Sequence, residues 1–534
     1  MSSADKNLPD SEQIIPQKAP GRGRLLVRNT LASASSAVFA QLLALITFPL
    51  LLRQVGATDY GIYALAASSV GYFSILNLAA RTSVVKYTAE LPETDQDSLN
   101  RLFSNAFVVN VGMGLLLAVI LVLLAAFCQD LFTIEPAAVP RARQILLIHA
   151  ASVILTQPLS VYESLLFGFQ KYGVTSLVSA IWTVLRNAAI FILYFGNGSI
   201  LWLVWAEVLL QLFRFSVLAL AARRRYPFIA VSWRRLDAGE IKKIFTYGGW
   251  SVVYTISLIM VYQGSIILTG ILLSVAAITY LQIGYKLFNL VYTIALNLNF
   301  AVLPSSSAAL AAGDDSYLRG LVISGSKINL SILLPLTISV LYFAPQIIGF
   351  WIGPQFVAPS MNLSRLMLAS WFLLAPTMFL TQLYLGQQDI GRLARTALVG
   401  VILQVGLAVL LGSYLGLPGV ALAFALFYGF LALRAFFITT QKLRFSPGLF
   451  FSRVLYPAYG TNLAFAGIMA LFVFYVGQPG NITQLLVIFI SALSLGVGFN
   501  LLLNARAEAC KVSAHIISDF FMVFRQVTCR NVKQ

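Results

Sequence analysis

Charge is what this chain has least of. Of its 534 residues only 10% are charged, with 19 Asp and Glu in all. A soluble domain of average make-up carries about 25% charged residues. Too little polar surface is left to coat a water-soluble globule, and 59% of the residues are hydrophobic. The composition is that of an integral membrane protein. Histidine and cysteine are nearly absent as well: His149 and His515, then Cys128, Cys510 and Cys529. They have neither a metal-ligand spacing nor a disulfide framework. No HExxH, GxSxG, P-loop or CxxC occurs. The chain is therefore not expected to be an enzyme, to hold a metal or cofactor, or to hydrolyse ATP. Any transport would draw on an ion or substrate gradient, with H+ and Na+ as candidates, or on a partner.

What the chain does have is long apolar runs. A spanning helix needs about 20 apolar residues. Fourteen stretches qualify: 27–51, 60–80, 102–127, 143–169, 173–195, 200–222, 246–270, 275–303, 318–343, 361–385, 391–412, 417–438, 453–476 and 483–504. The stretch Arg223 to Lys243 between the sixth and seventh carries Arg223, Arg224, Arg225, Arg234, Arg235, Lys242 and Lys243. Short loops this basic stay in the cytoplasm. With that side fixed, Arg53, Arg141 and Arg143 fall outside, while Arg186, Arg214, Lys286, Arg365 and Arg434 fall within spans. All other Lys and Arg lie inside, a bias that a missed span would destroy. Both termini are then expected in the cytoplasm. The net charge of +17 sits in loops rather than along one face, which argues against nucleic acid and for anionic membrane lipids as the partner.

The expected organisation is all-α. A polar, disordered tail (1–24) precedes six spans (25–222), the basic linker (223–245) and six more spans (246–438). Two further spans (453–504) lead to a C-terminal tail (505–534). Ile516, Ile517, Phe520, Phe521 and Phe524 at helical spacing make that tail an expected amphipathic surface helix. Every outer loop is short, the longest being 128–142 and 344–360, so no outer domain is available for chemistry.

Ionisable residues within spans face a cavity or one another. Arg186 lies roughly 20 Å into span 5 from the inside by helix rise, and Glu207 reaches a similar level in span 6. They are candidates for an ion pair, which either fixes packing or serves a cavity. Arg214, a heptad from Glu207, either shares that carboxylate or lines a cavity; Glu163 is an alternative partner for Arg214 or for Lys171. Lys286 lies roughly 16 Å from the outer end of span 8. Spans 7 to 14 contain no acid, so Lys286 has no partner in its own half. A cation so placed suits a watery cavity awaiting an anionic ligand; the alternative is a stem that snorkels or finds carbonyls. Tyr254, Tyr262, Gln263, Tyr280, Gln282, Tyr285, Asn289, Tyr292, Asn297 and Asn299 surround it in spans 7 and 8. They suit sugar contacts or ordinary interhelical hydrogen bonding. Candidate substrate-binding residues are thus Lys286, Arg214, Arg186, Tyr254, Tyr262, Gln263, Tyr285 and Asn289.

Two segments carry a family likeness. Residues 28–90, with their PLLLRxxG-like turn followed by DYGIYAL, resemble the opening of the polysaccharide-transport (Wzx-type) flippases. Residues 271–304, ILLSVAAITYLQIGYKLFNLVYTIALNLNFAVLP, resemble that family's eighth span. The likeness extends in pattern over roughly residues 25–505. It implies membership of the multidrug/oligosaccharidyl-lipid/polysaccharide exporter superfamily, with two six-helix lobes around a central cavity, two added C-terminal helices and alternating access. It further implies export of an undecaprenyl-diphosphate-linked oligosaccharide across the bacterial inner membrane, for exopolysaccharide, capsule or O-antigen assembly. Polysaccharide polymerase and chain-length machinery are candidate partners. Many relatives carry an Asp in span 7 before an ILG-like sequence; this chain has Gln263 and Gly264 there. A multidrug antiporter of the same fold is the alternative. A membrane glycan polymerase or ligase is a third, disfavoured by the short outer loops.

Overall fold

The computed structural model of the chain describes residues 22–246, 249–299, 315–385, 390–444, 446–476 and 479–505. The N-terminal tail and the expected amphipathic C-terminal helix lie almost wholly outside the described residues. Every regular element within them is helical. The first half comprises α1 (Arg22–Glu90), α2 (Gln96–Ala126), α3 (Val139–Gly168), α4 (Tyr172–Phe195) and α5 (Ile200–Arg225). A short α6 (Ala238–Thr246) follows. The second half comprises α7 (Gly249–Leu272), α8 (Val275–Asn299), α9 (Asp315–Tyr342), α10 (Ala344–Trp351), α11 (Val357–Ala369), α12 (Trp371–Leu385), α13 (Ile390–Leu415) and α14 (Leu417–Lys442). Last come α15 (Tyr456–Val476) and α16 (Ile482–Ala505).

Among the described residues, ten helices are individually long and apolar enough to cross a membrane, and one bent pair raises the number to eleven. This departs from fourteen uninterrupted runs in one clear place. The expected span 361–385 is broken at Ser370, between Pro354–Ala369 and Trp371–Thr381, by a bend of 42°. The Ser370 hydroxyl donates to the Met367 carbonyl at 2.6 Å and stabilises the tight turn locally. The expected outer loop 344–360 is likewise mostly helical, holding α10 and a 3-10 turn at Pro354–Phe356. Arg223, Arg224 and Arg225, read as linker, form the last turn of α5. Cations there complement the helix dipole.

α1 is two helices joined at a kink. Gly56 adopts φ 78°, a conformation that glycine reaches without the Cβ penalty. The neighbouring proline has a second effect. Pro49 has no N–H, so the Leu45 carbonyl one turn back loses its helical partner. The Trp351 indole N–H, from the end of α10, donates to that carbonyl at 2.6 Å. Arg53 reinforces the joint, its Nε donating to the Ile352 carbonyl at 2.6 Å. The same device recurs inside the second half. Pro376 vacates the Phe372 carbonyl, and the Tyr459 hydroxyl of α15 donates to it.

Further bonds stitch the halves together at the Gly56 end. Thr279 Oγ1 donates to the Ala57 carbonyl at 2.6 Å. Thr133 N–H donates to the Gly270 carbonyl at 2.9 Å, and Val275 N–H to the Thr133 carbonyl at 3.2 Å. Gly61 is required here: a Cβ on it would lie 1.8 Å from the Val275 carbonyl oxygen. The α1 arms pack on α7 and α8 as well as on their own half, so α1 forms the seam.

Elsewhere, buried amides join apolar helices. Asn329 Nδ2 donates to Asn299 Oδ1 at 2.9 Å between α9 and α8, and Asn462 Nδ2 to Asn500 Oδ1 at 2.9 Å between α15 and α16. Such bonds are favoured where neighbouring tails offer no competing partner. α15 and α16 lean on α9 through a separate cluster that includes Ile338, Phe343, Phe465 and Leu485.

The basic connection after α5 is pinned to α2 rather than hanging free. Asn100 Oδ1 accepts from Ala230 N–H at 2.8 Å, Ser104 Oγ from Ser232 N–H at 3.0 Å, and Asn105 Oδ1 from Asp237 N–H at 2.9 Å. Asn105 Nδ2 donates to the Arg235 carbonyl at 3.0 Å. Asp95 caps α2 by accepting from Ser98 N–H at 3.1 Å; that bond holds its carboxyl below the usual carboxylate range.

Candidate functional site

The DYGIYAL stretch folds into the start of the second α1 arm, and each of its polar positions has a distinct task. Asp59 pairs with Arg141 at 2.8 Å. Tyr60 is buried beside Phe48. Gly61 permits the close approach to Val275. Tyr63, one turn on, points towards α4 and α5.

Arg186 and Glu207 meet there. Arg186 Nε donates to Glu207 Oε1 at 2.7 Å, and Arg186 Nη2 donates to the Tyr63 hydroxyl at 3.0 Å. The Tyr63 hydroxyl in turn lies 2.9 Å from each Glu207 carboxylate oxygen. The triad is closed: each partner is bonded to both others. A Thr47 Oγ1 to Asn187 Oδ1 bond of 2.7 Å holds α1 against α4 beside it.

Lys286, on α8, approaches the same place from the other half. Its Nζ lies 5.4 Å from the centroid of the Phe48 ring, a cation–π distance. Phe48 touches Tyr60 at 5.4 Å, and Tyr60 touches Tyr63 at 6.0 Å between ring centroids. This aromatic path links Lys286 to the triad, and Arg186 is the charged group that acts on Lys286 electrostatically. Among the described residues Lys286 has no acidic partner within ion-pair distance. Lys286 and the triad together hold two cations and one carboxylate, which leaves this buried group one positive charge in excess.

The other candidate residues divide. Tyr262 belongs to this neighbourhood: it interacts with Tyr60 and its hydroxyl donates to Gln282 Oε1 at 2.8 Å. Gln263 lies against Gly71 of α1, where a Cβ would come within 2.6 Å of its Nε2. Its Oε1 is buried without a partner. Asn289 is partly buried on α8.

Tyr254 and Tyr285 lie deeper in the second half, Tyr285 against Tyr262 with ring centroids 4.4 Å apart. Both are buried, Tyr285 at 1% exposure. Tyr285 packs edge-on to Phe424 with centroids 5.0 Å apart. Tyr254 lies near Tyr292 and Tyr428. They belong to the aromatic interior of the second half. Arg214 takes the alternative partner that its level in the span offered. Its Nη2 donates to Glu163, and Arg81 reaches the same carboxylate at 3.7 Å. The guanidinium also lies 4.9 Å from the Phe215 ring. It forms a second charged cluster, about 10 Å further along α5 by helix rise.

Tyr63 and Phe48 join this candidate site without having been singled out in the sequence. Their signal was the pair of motifs flanking Gly56. Among the described residues no group of His, Cys, Asp and Glu could hold a metal ion.

The fold is a multi-pass helical one that solved membrane proteins share. The lipid II flippase MurJ, solved in an inward closed conformation, superposes with a TM-score of 0.66 at 15% identity, covering 89% of this chain and 98% of that one. An inward-facing multidrug resistance MATE family transporter of the MOP superfamily gives 0.59 at 16% identity, covering 76% and 98%. The chain belongs to the polysaccharide biosynthesis protein family, whose model matches residues 50–360. It is similar to the membrane protein EpsK of Bacillus subtilis, with 24% identity over 71% of this chain and 75% of EpsK. It is also similar to the "Putative O-antigen transporter" of Shigella flexneri, with 22% identity over 65% of this chain and 81% of that one.

Proposed function

We propose that the protein moves an undecaprenyl-diphosphate-linked oligosaccharide from the inner to the outer leaflet of a bacterial inner membrane, by alternating access. The observation that carries this reading is the unpaired Lys286 beside the Arg186–Glu207–Tyr63 triad, at the seam between the halves. A surplus positive charge in a low-dielectric region favours an anionic visitor. A lipid diphosphate supplies one, and its polyprenyl tail can stay in lipid. Membership of a polysaccharide biosynthesis family supports the glycan half of the reading. So does the name of the Shigella relative.

Fourteen crossings fit this proposal. The two arms of α1 and the helix α8 would join the ten apolar helices and the bent pair. The halves would form two six-helix lobes, with both termini cytoplasmic. The Gly56 end would then face outward, and its bonds across the seam would close the outer side. Anionic lipids suit the basic inner face, and polymerase or chain-length machinery would receive the product.

Organic cations would need an acidic site, and the sign of the charge here argues against that alternative. The test is a flipping assay with full-length protein in vesicles and a fluorescent undecaprenyl-diphosphate sugar. Lys286→Ala is expected to lower transport at least tenfold at normal protein levels, with Lys286→Arg retaining part of it. Full transport by the alanine form would remove Lys286 from the mechanism. Resistance to cationic drugs in an expressing strain would favour the antiporter instead.

A further inference from the structure

The buried group formed by Lys286 and the triad has a charge balance of its own, and Glu207 is its one carboxylate. With the site empty, Glu207 neutralises Arg186, and Lys286 is left as the surplus cation. A diphosphate diester brings two negative charges. Added to Arg186, Lys286 and an ionised Glu207, it would turn the surplus positive charge into a surplus negative one. Protonating one group restores neutrality in a region where uncompensated charge is strongly unfavourable.

We infer that Glu207 is a surrogate anion, displaced from Arg186 by the incoming diphosphate, and that it takes up a proton as the lipid binds. The inference rests on the lipid-diphosphate reading above and adds to it the coupling of one proton to each loading event. Proton and glycolipid then enter the seam together, and releasing the lipid lets the carboxyl return its proton and rebind Arg186.

The surroundings of Glu207 support this assignment. α1 presents Tyr60 and Tyr63, and the Tyr63 hydroxyl contacts both carboxylate oxygens. Tyr63 can hold the displaced carboxyl without the guanidinium. α4 presents Arg186, and Lys286 of α8 lies beyond it. α3 presents His149, which interacts with Glu207 electrostatically and whose Nδ1 lies 2.8 Å from the Ile145 carbonyl. Glu163, further along α3, is committed to Arg214 and Arg81. His149 is therefore the rival proton acceptor.

The test is calorimetric titration of full-length protein in nanodiscs at pH 7 with undecaprenyl-diphosphate N-acetylglucosamine. Two buffers of low and high ionisation enthalpy report the protons exchanged. Wild type is expected to take up about one proton per lipid bound. Glu207→Gln should bind with almost no uptake, and His149→Gln should behave as wild type. Binding by wild type without uptake overturns the inference, as does undiminished uptake in Glu207→Gln or lost uptake in His149→Gln. Absence of binding to wild type overturns the lipid-diphosphate reading itself. Should Glu207→Gln fail to fold, Glu207→Asp must retain uptake. Difference infrared spectra of wild type must also gain a protonated-carboxyl band on loading; its absence is equally fatal.

Discussion

Replacing Trp351 with Phe isolates one bond of the seam. The ring stays, so packing on Phe48, at 5.4 Å between centroids, is largely kept. The indole N–H is lost. Pro49 has already deprived the Leu45 carbonyl of its helical donor, so the substitution also removes the side-chain donor that replaces it. A buried acceptor left unsatisfied costs about 1–3 kcal/mol. Leu45 is only partly buried, which puts the expected effect near 1–2 kcal/mol, a shift of roughly 5–30-fold in an equilibrium. If the joint breaks when the halves part, that shift falls on the balance between closed and open forms. Spin labels at Gln54 and Gln355 report it as a longer-distance population in pulsed electron resonance. A double-mutant cycle sharpens the test. Pro49→Ala gives residue 49 an N–H of its own, so Leu45 regains its donor one turn on. In that background Trp351→Phe should have little effect. Equal shifts in the wild-type and Pro49→Ala backgrounds would refute the account of the vacated carbonyl, and no shift in either would refute the seam as a gate.

Gly61→Ala is expected to lower stability by at least about 1–3 kcal/mol, as overpacking does, because the Val275 backbone has no rotamer with which to yield. Thermal unfolding in detergent measures it, and a wild-type midpoint would show that the approach is looser than it looks. Glu163→Gln leaves Arg214, whose side chain is 15% exposed, without its counter-charge. Breaking a buried pair in this way costs about 3–5 kcal/mol. Adding Arg214→Met should restore most of the lost midpoint if charge, rather than shape, is the cause.

Much of this was legible before any coordinates. The PLLLRxxG pattern marked the Gly56 turn, and helix rise placed Arg186 level with Glu207. Lys286 stood out because its half offers no acid within a span. Radial direction was the missing quantity. On α8 Gln282, Tyr285, Lys286 and Asn289 share one stripe, so helical phase alone does not say which of them meets the seam and which packs inward. Nothing in the letters shows that Tyr262 and Tyr285 pack on each other, or that Tyr285 also meets Phe424. Tyr63 was hidden for a related reason: a tyrosine in an apolar run reads as bulk until a guanidinium is seen beside it. The break at Ser370 lies within a continuous apolar stretch that carries no composition signal. For Arg214, heptad spacing gives a face shared with Glu207 but cannot choose between neighbouring carboxylates on different helices; of the two partners it left open, Glu163 is the one met.

The ladder of amide and hydroxyl bonds from Asn100, Ser104 and Asn105 has a bearing on the charge of the basic connection. A loose tether would scatter its cations over many positions and present only their average. Here Arg234 and Arg235 ride on backbone that α2 holds in register, so their field has a fixed pattern that travels rigidly with the first half. Whatever meets that surface, whether headgroup or protein, encounters a stamped array rather than a cloud.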